Sequence, residues 1–443
     1  MKTPIADFVA HYARSAAARF HMPGHKGEAL LGCEALDLTE IQGADDLYAA
    51  DDIIAESERN AAALFGSAHT FYSTEGSTHA IKAMLALACG GKKAPRVLAA
   101  RNAHKAFLYG CGLLGIDADW LYGEDDTHLC RCHVTPEALD KALNGAKNTY
   151  DAVFVTSPDY LGNMADIAAL SRVCHAHGVP LLVDNAHGAY LAFTSPSRHP
   201  MALGADACAD SAHKTLPVLT GGAYLHISQN APAHFAKNAR RALAIFGSSS
   251  PSYLTLQSLD LCNRTLAEGY PARVQEAAKR VEELRFSLEN AGYTVMGDEP
   301  LKLTVSGLAR GLTGNDLANA LREAGAEVEF ADTQLAVLMC TPHNSPADFV
   351  LAREVLTTLP ARTPIDISHP VSALVADRAC SIREALLGDS TRVAVRDAIG
   401  RICAAPTVSC PPAVPIVASG EIVQESALPL FAAYGIEEID VLC

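Results

Sequence analysis

Two short stretches of the chain contain the residues with the clearest potential for chemistry. The first is Ser211-Ala212-His213-Lys214, in which a lysine lies beside two hydrogen-bonding side chains. The second is Asp184-Asn185-Ala186-His187-Gly188, which begins with an acid at the end of the apolar run 179–183. A lysine amine forms a Schiff base with an aldehyde, and an acid keeps a pyridine nitrogen protonated. An acid followed by Ser-x-His-Lys therefore predicts an enzyme that holds pyridoxal phosphate, whose protonated ring draws electrons from a bond at the substrate Cα.

The same two residues also have an ordinary interpretation. Most lysines are solvated surface charges, and an aspartate at the end of a strand is often a turn residue. A match to two short motifs therefore needs support from the rest of the chain.

Length, composition and charge restrict the class of protein. At 443 residues the chain is long enough for two domains. Hydrophobic residues make up 49% and charged residues 19%, which is typical of a compact α/β protein and not of a disordered one. The formal net charge of −15 argues against nucleic acid as a partner. It suits a cationic small substrate, although many cytosolic enzymes are acidic for solubility alone.

The 13 cysteines show no framework spacing. The first 20 residues lack the apolar core of a signal peptide, and we find no apolar stretch of membrane-spanning length. We therefore expect a cytoplasmic protein with free thiols and no membrane partner. The clusters 128–133 and 174–177 contain cysteine and histidine, but without the paired spacing of a zinc site, so we predict no metal.

The hydrophobic patterns predict alternating strands and helices, which means a mainly parallel sheet covered on both faces. We predict an N-terminal segment with a large domain over 1–265 and a small C-terminal α/β domain with a tail over 266–443. The predicted strands are 96–100, 152–156, 180–184, 222–227, 301–306 and 335–341, and the predicted helices are 1–18, 53–65, 167–177, 254–290 with an interruption near 269–271, 315–324 and 347–359.

Three further motifs match a cofactor site. Gly76-Ser77-Thr78 precedes an apolar periodic run, so its hydroxyls and the backbone N–H groups of a helix start would bind a phosphate. His104 follows the predicted strand 96–100, at the end of a strand where open α/β sheets bind ligands, and its ring would stack on a flat cofactor. Thr220-Gly221-Gly222 gives a tight passage that allows close backbone approach. Alone, each has a plain alternative as a helix cap or a loop residue.

Two N-terminal segments allow two interpretations each. The segment 19–27 holds His21 and His25 with two basic residues, and it is either a surface loop or a loop that closes over an anion or a neighbouring subunit's site. Asp45 and Asp46 precede an aromatic residue, and they would either bind a substrate cation or cap a helix. Helix capping is the favoured interpretation.

Taken in order, these motifs extend over nearly the whole chain. They are Phe20-His21-Met22-Pro23-Gly24-His25-Lys26, Thr39-Glu40, Asp45-Asp46-Leu47, Glu75-Gly76-Ser77-Thr78, Arg101-Asn102-Ala103-His104-Lys105, Asp184-Asn185-Ala186-His187-Gly188, Ser211-Ala212-His213-Lys214, Ser249-Ser250-Pro251-Ser252-Tyr253 and Pro411-Pro412-Ala413-Val414-Pro415. The set resembles the pyridoxal-phosphate-dependent ornithine/lysine/arginine decarboxylase family, in its shorter form without an extra N-terminal domain.

The resemblance implies the aspartate-aminotransferase type of fold (pyridoxal-phosphate fold type I) and a site at a homodimer interface. By motif, Lys214 would form the Schiff base, Asp184 would pair with the ring nitrogen, His104 would stack on the ring and His187 would lie beside it. The phosphate would be held by Gly76, Ser77, Thr78, Ser211 and His213, with Thr220 or the hydroxyls of the 249–253 turn reaching in from the other subunit.

The chain departs from the family pattern at four places. The usual Pro-Pro-Gly has Ala413 in place of glycine, and Cys410 stands where tyrosine is common. Ser419-Gly420-Glu421 replaces the usual Pro-Gly-Glu, and Ala106 replaces a common serine. Since the cofactor motifs are intact, these differences bear on substrate identity more than on the chemistry.

We therefore predict decarboxylation of a basic L-amino acid to the amine and CO₂, with arginine as first choice, then lysine or ornithine. The distal cation of the substrate requires an acid, for which the candidates are Glu421, Asp45, Asp46 and Glu329. Two alternatives stay open: an aminotransferase or lyase of the same fold, and a catalytically degenerate partner subunit. The intact cofactor motifs argue against the second.

Overall fold

The computed structural model describes residues 1–15, 17–123, 128–146, 149–366, 374–406 and 412–443. Its strands are β1 (His69–Ser73), β2 (Arg96–Ala100), β3 (Asp117–Leu121), β4 (Ala152–Thr156), β5 (Leu181–Asp184), β6 (Ala207–Asp210), β7 (Ala223–Ile227), β8 (Thr294–Met296), β9 (Lys302–Ser306), β10 (Phe330–Ala331), β11 (Leu335–Met339), β12 (Ser390–Ala394) and β13 (Glu438–Leu442).

The helices are α1 (Pro4–Arg14), α2 (Ile53–Phe65), α3 (Gly76–Cys89), α4 (Lys105–Leu114), α5 (Pro136–Asn144), α6 (Ile167–Ala176), α7 (Pro200–Leu203), α8 (Ala212–Thr215), α9 (His234–Phe246), α10 (Tyr253–Ala267), α11 (Tyr270–Asn290), α12 (Gly314–Glu323), α13 (Pro346–Thr358), α14 (Ile382–Leu387) and α15 (Leu428–Ala433). Within the described ranges, no helix combines the length and the apolar character that crossing a bilayer requires.

Among the residues that the structure describes, the strands of the main sheet follow the order β1-β7-β6-β5-β4-β2-β3. Strand β2 is parallel to β3, and β5 is parallel to β6. Strand β7 runs antiparallel to both of its neighbours, β6 and β1. The predicted α/β class with a mainly parallel sheet is confirmed.

The chain forms two compact units. The first contains residues 1–91, 151–154 and 167–271, and the second contains 92–150, 155–166 and 272–443. The second unit includes the four-stranded sheet β10-β11-β9-β8 and the pair β12-β13. Because each unit collects several segments of the chain, the predicted division into 1–265 and 266–443 stays a prediction.

Most elements with a strong pattern lie where the sequence predicts them. The helix 53–65 and the strands 96–100 and 152–156 have the predicted bounds. The predicted interruption of the helix 254–290 near 269–271 is confirmed, since the structure has two helices there and Gly269 adopts a φ of +77° between them. The predicted helix 1–18 ends earlier, at Arg14.

The sequence patterns did not predict several elements. Strand β6 is four residues long and contains two alanines, so it lacks the β-branched and aromatic side chains that mark a strand. Helix α9 buries only one face and exposes charged residues on the other, so its average apolar character is low.

Strands β5 and β6 form the buried centre of the first unit. Every residue of both strands is buried, and Asp184 pairs in register with Ala209. Because parallel strands end at the same edge, Asp184 and Asp210 lie next to each other at the carboxyl end of the sheet. Helix α3 packs on β6 and β7 and brings its first turn to the same edge.

In the second unit, the C-terminal tail packs on the loop after β2. Arg101 is fully buried, and its guanidinium donates to the backbone oxygens of Pro415 (2.8 Å) and Ile416 (2.9 Å). The backbone N–H of Lys105 donates to the oxygen of Ala413 (2.9 Å). Cys410 and Pro411, two of the residues in the departing motif, lie outside the described residues.

Ala413 has a φ of +58°, in the left-handed region that favours glycine. For an L-residue this conformation costs roughly 1–2 kcal/mol. Glycine also gives the unfolded chain more conformational entropy, which lowers the free energy of unfolding by about 0.4–1 kcal/mol. Ala413 is also buried, so its lost methyl group costs about 0.8 kcal/mol more. We therefore expect the strain relief to leave the stability of Ala413→Gly nearly unchanged, measured from the denaturant midpoint.

The control for this prediction is Ala418→Gly, since Ala418 is buried and has a negative φ. That change should destabilise the protein by about 1–2 kcal/mol through backbone entropy and the loss of a buried methyl group. Equal destabilisation in both variants would contradict the prediction.

Candidate active site

Lys214 lies on α8, one turn beyond the end of β6. Its Nζ is 2.9 Å from Nε2 of His187, which is buried on the turn after β5. The lysine itself is half-buried. The structure therefore brings the two predicted residues into direct hydrogen-bond contact, so that a proton can pass between them.

Asp184 is the last residue of β5, and its side chain is 2% exposed. Its Oδ1 accepts the backbone N–H of Ala186 at 3.1 Å. Burial raises the pKa of Asp184 to about 6, against the opposing effects of Lys214 and the Ala186 N–H. A buried carboxyl group with so raised a pKa favours a cationic or N–H partner.

The first turn of α3 forms the other end of the site. The residue before the helix, Glu75, makes no side-chain hydrogen bond to the free N–H groups of that turn. Gly76 has a φ of +72°, and its N–H donates to the oxygen of Gly221 at 2.7 Å. Ser211 Oγ donates to Ser77 Oγ at 2.7 Å, which joins the start of α3 to the lysine segment.

His213 and the glycine pair close this end. The backbone N–H of His213 donates to Gly222 O at 3.1 Å, and its Nδ1 lies 3.0 Å from the same oxygen. Burial lowers the pKa of His213. Gly221 has a φ of +97°, and a Cβ there would lie 2.6 Å from the oxygen of Thr74, so only glycine fits. Thr78 is half-buried, whereas Thr220 is exposed.

The two N-terminal acid candidates have backbone partners. Asp45 is buried, and its Oδ2 accepts the N–H groups of Asp52 (3.0 Å) and Ile54 (3.1 Å) at the start of α2. This is the capping role that the sequence favoured. Asp46 is exposed and accepts the N–H of Tyr48 at 2.8 Å.

The other acid candidates belong to the second unit, as does His104. Glu421 is buried; its Oε1 accepts Trp120 Nε1 at 2.9 Å, and its Oε2 lies 3.4 Å from Arg101. Glu329 accepts the hydroxyl of Tyr160 at 2.7 Å. His104 precedes α4 and caps it, since its Nδ1 accepts the N–H of Ala106 at 3.1 Å.

Sequence reasoning missed a cluster directly beside Asp184. Asp210 Oδ2 lies 2.9 Å from His199 Nε2 and 3.3 Å from His226 Nε2, and all three side chains are fully buried. Asn185 Nδ2 donates to Asp210 Oδ1 at 2.7 Å. The available signal was an aspartate ending an apolar strand, because a buried carboxylate needs partners.

Comparison with known proteins assigns this chain to a family. The model of the family described as Orn/Lys/Arg decarboxylase, major domain, matches residues 3–298. The chain belongs to this family. Its members are enzymes, and the resemblance found in the motifs is confirmed.

Curated members match along almost the whole chain. An arginine decarboxylase of Bacillus subtilis is 29% identical, over 96% of this chain and 92% of its own length. An arginine decarboxylase of Halalkalibacterium halodurans is 30% identical over the same shares.

A solved structure shows the same fold. The lysine decarboxylase LdcF of Francisella novicida superposes with a TM-score of 0.81 and covers 100% of this chain and 81% of that protein, at 15% identity. The predicted fold type I is confirmed.

Pyridoxal phosphate is the cofactor of this family, and the residues of the first unit fit it. The buried Asp184 matches a protonated ring nitrogen, and the Lys214 amine matches an aldehyde. The uncapped first turn of α3 offers N–H groups and a positive dipole end to a phosphate. A Cβ at Gly76 would lie 3.9 Å from Cε1 of His213, which belongs to the lysine segment.

Proposed function

We propose that this protein decarboxylates a basic L-amino acid, with arginine as first choice, to the amine and CO₂. The observation that carries the proposal is the Lys214–His187 contact beside the buried Asp184, in a chain of the Orn/Lys/Arg decarboxylase family. Arginine is favoured because two relatives that match nearly the whole chain are named arginine decarboxylases. Lysine and ornithine follow.

In this proposal each group of the site has one task. Lys214 holds the cofactor covalently, and Asp184 pairs with the ring nitrogen. The first turn of α3 binds the phosphate together with Ser77, Thr78, Ser211 and His213. When bound, the cofactor supplies an electron sink for the bond between the substrate Cα and its carboxylate. The roles of His104 as the stacking residue and of Thr220 at the phosphate rest on the family resemblance.

In our proposal the Lys214–His187 pair delivers the proton that Cα needs. After CO₂ leaves, a proton must reach Cα, and Lys214 Nζ is the acid that we assign to this step. His187 Nε2, at 2.9 Å, orients the amine and accepts or returns its proton. The buried surroundings of His187 keep water from competing for the same hydrogen bond.

For the distal cation, Glu421, Asp45, Asp46 and Glu329 remain our candidates. The acid that binds the cation is the one whose neutral amide variant raises KM for the substrate with little change in kcat. Because Asp45 caps α2 through backbone N–H groups, we expect Asp45→Asn to lower stability instead.

We also propose a homodimer. The N-terminal segment exposes Phe20 (97%), Leu30 (80%) and Leu31 (89%), an unusual concentration of large apolar side chains. A second copy of the chain would cover them.

We expect the double variant Phe20→Ser/Leu31→Ser to shift the mass found by sedimentation from dimer towards monomer. Phe286→Ser, an exposed phenylalanine on α11, is the matched control. A monomeric wild type would contradict the proposal.

The test of function is CO₂ release from arginine, lysine and ornithine by the purified protein with added pyridoxal phosphate. Release from one substrate, lost in Lys214→Ala, supports the proposal and fixes the substrate. Keto-acid formation would instead identify an aminotransferase. A visible cofactor band without CO₂ would indicate another reaction of this fold, and no band at all would indicate a degenerate subunit.

A further inference from the structure

Asp210 is fully buried at the end of β6 and is surrounded by polar side chains. His199 Nε2 and His226 Nε2 lie 2.9 and 3.3 Å from its Oδ2. Asn185 Nδ2 and Cys208 Sγ lie 2.7 and 3.7 Å from its Oδ1. The hydrogen bonds from His199, Asn185 and Cys208 stabilise the ionised form of the carboxyl group.

The hydrogen bonds of His199 support an ionised Asp210. His199 Nδ1 accepts the N–H of Met201 at 3.3 Å, so its proton is on Nε2 and points to Asp210. His226 Nδ1 contacts Thr70 Oγ1 at 2.8 Å, and its Nε2 lies 3.3 Å from Asp210 Oδ2 without a hydrogen bond between them. Burial alone would raise the pKa of Asp210, but His199 and His226 hold it well below its usual range.

Asp210 also connects the two catalytic segments. It accepts a hydrogen bond from Asn185, which lies on the turn with Asp184 and His187. The backbone N–H of Asn185 donates to Ala209 O at 3.0 Å. On its other side the chain continues directly into Ser211, which contacts Ser77, and then to Lys214. One carboxylate therefore fixes the spacing between the acid, the histidine and the lysine of the proposed site.

We propose that Asp210 is a positioning residue for the cofactor: it fixes the 184–188 turn through Asn185, and its charge, behind Asp184, favours a cationic partner at that carboxylate. The inference rests on the proposed function and deepens it. The charge acts on Asp184 because the two residues end adjacent strands. A second negative charge near a buried carboxylate raises its affinity for a proton or a cationic partner. Consistent with this, Asp210 contributes to the raised pKa of Asp184, after burial.

The titratable groups around this pair come from several elements. Asp210 faces Cys208 on its own strand, His226 and Tyr224 on β7, His199 before α7 and Asp184 on β5. Asp184 in turn faces Lys214. Of these, Asp184 is the one that we assign to the ring nitrogen, so its proton affinity is the quantity that Asp210 changes.

The test compares Asp210→Asn with Asp206→Asn. Asp206 is a matched control, because it is also buried, accepts from a histidine (His175 Nε2, 2.9 Å) and lies just before the other end of β6. Dissociation constants for pyridoxal phosphate are measured by absorbance across pH. We expect Asp210→Asn to weaken cofactor binding about tenfold or more, since a charged hydrogen-bond acceptor is lost. The alkaline midpoint of its pH profile should also move to lower pH.

Asp206→Asn should lose thermal stability but keep the wild-type affinity and midpoint. If Asp210→Asn does not fold, Asn185→Ala separates the two effects: it removes the tether but keeps the charge, so binding should weaken with an unshifted midpoint. Identical affinity and pH profiles for the wild type and the Asp210 or Asn185 variants would overturn the inference alone. No cofactor binding by the wild type would overturn the proposed function together with it.

Metal content of the wild type completes the test. The ligand-type atoms of His199, Cys208 and Asp210 lie within 4.8 Å of one another. A stoichiometric metal, lost in Asp210→Asn, would overturn the positioning role in favour of a structural metal. Metal-free protein with the expected midpoint shift supports the inference.

Discussion

Lys214→Ala is expected to lower the rate of decarboxylation by at least about 10³-fold, since one positioned proton donor alone contributes about 10²–10⁴. The same change removes the covalent hold on the cofactor, so the visible band of the bound cofactor should disappear. Borohydride reduction of the wild type, followed by peptide mass spectrometry, should find the pyridoxyl group on the peptide that contains Lys214. Labelling of a different lysine would contradict the assignment.

The control for this variant is Lys237→Ala, which removes an exposed lysine on α9 of the same unit. It should leave rate, spectrum and stability unchanged. Because the start of α3 and the Ser77–Ser211 contact are untouched by Lys214→Ala, the variant should still bind the cofactor's phosphate end weakly. Competition by inorganic phosphate would report this residual binding.

The second large effect is expected for Asp184→Asn, and it should have opposite signs for activity and for stability. Removing a preorganised charge at the reacting group costs about 10²–10³ in rate. The apoprotein, by contrast, should become more stable at neutral pH. In the folded chain burial raises the pKa of Asp184 from its ordinary value of 3.8 to about 6, so the ionised form opposes folding.

The sign of the pH dependence follows from proton uptake. Between about pH 4 and pH 6 the folded state binds the proton more tightly than the unfolded chain, so the contribution of Asp184 to stability falls as the pH rises through that window. The loss is complete above it and amounts to at most about 3 kcal/mol. Asp184→Asn should therefore exceed the wild type in unfolding free energy at pH 8, and the difference should vanish near pH 4.

Denaturant unfolding of the two apoproteins at pH 4, 6 and 8 measures this difference. The same difference in unfolding free energy at all three pH values would mean that Asp184 does not cause the pH dependence of stability. Adding pyridoxal phosphate should reverse the order at pH 8, because the wild-type carboxylate then has its cationic partner while the amide does not.

The residues that we propose as reacting groups could be selected from the sequence alone. Lys214 and Asp184 have chemistry that few other side chains supply, and they stand in short motifs with fixed neighbours. The turn at Gly76 could also be predicted as an anion-binding segment, because the start of a helix presents free N–H groups wherever it occurs. Helix α2 and strands β2 and β4 were predicted with their bounds because their patterns are local.

The tertiary structure alone decided which polar side chains meet. The partners of Asp210 come from β7 and from the segments 185–188 and 199–204, and no local pattern indicates which strands become neighbours. The candidate acids show the same limit: Asp45 caps a helix, and Glu421 contacts Arg101, which stands more than 300 residues away in sequence. Periodicity indicates that a residue is buried. Strand order and register determine what a buried charge is paired with, and hence whether it is available for chemistry.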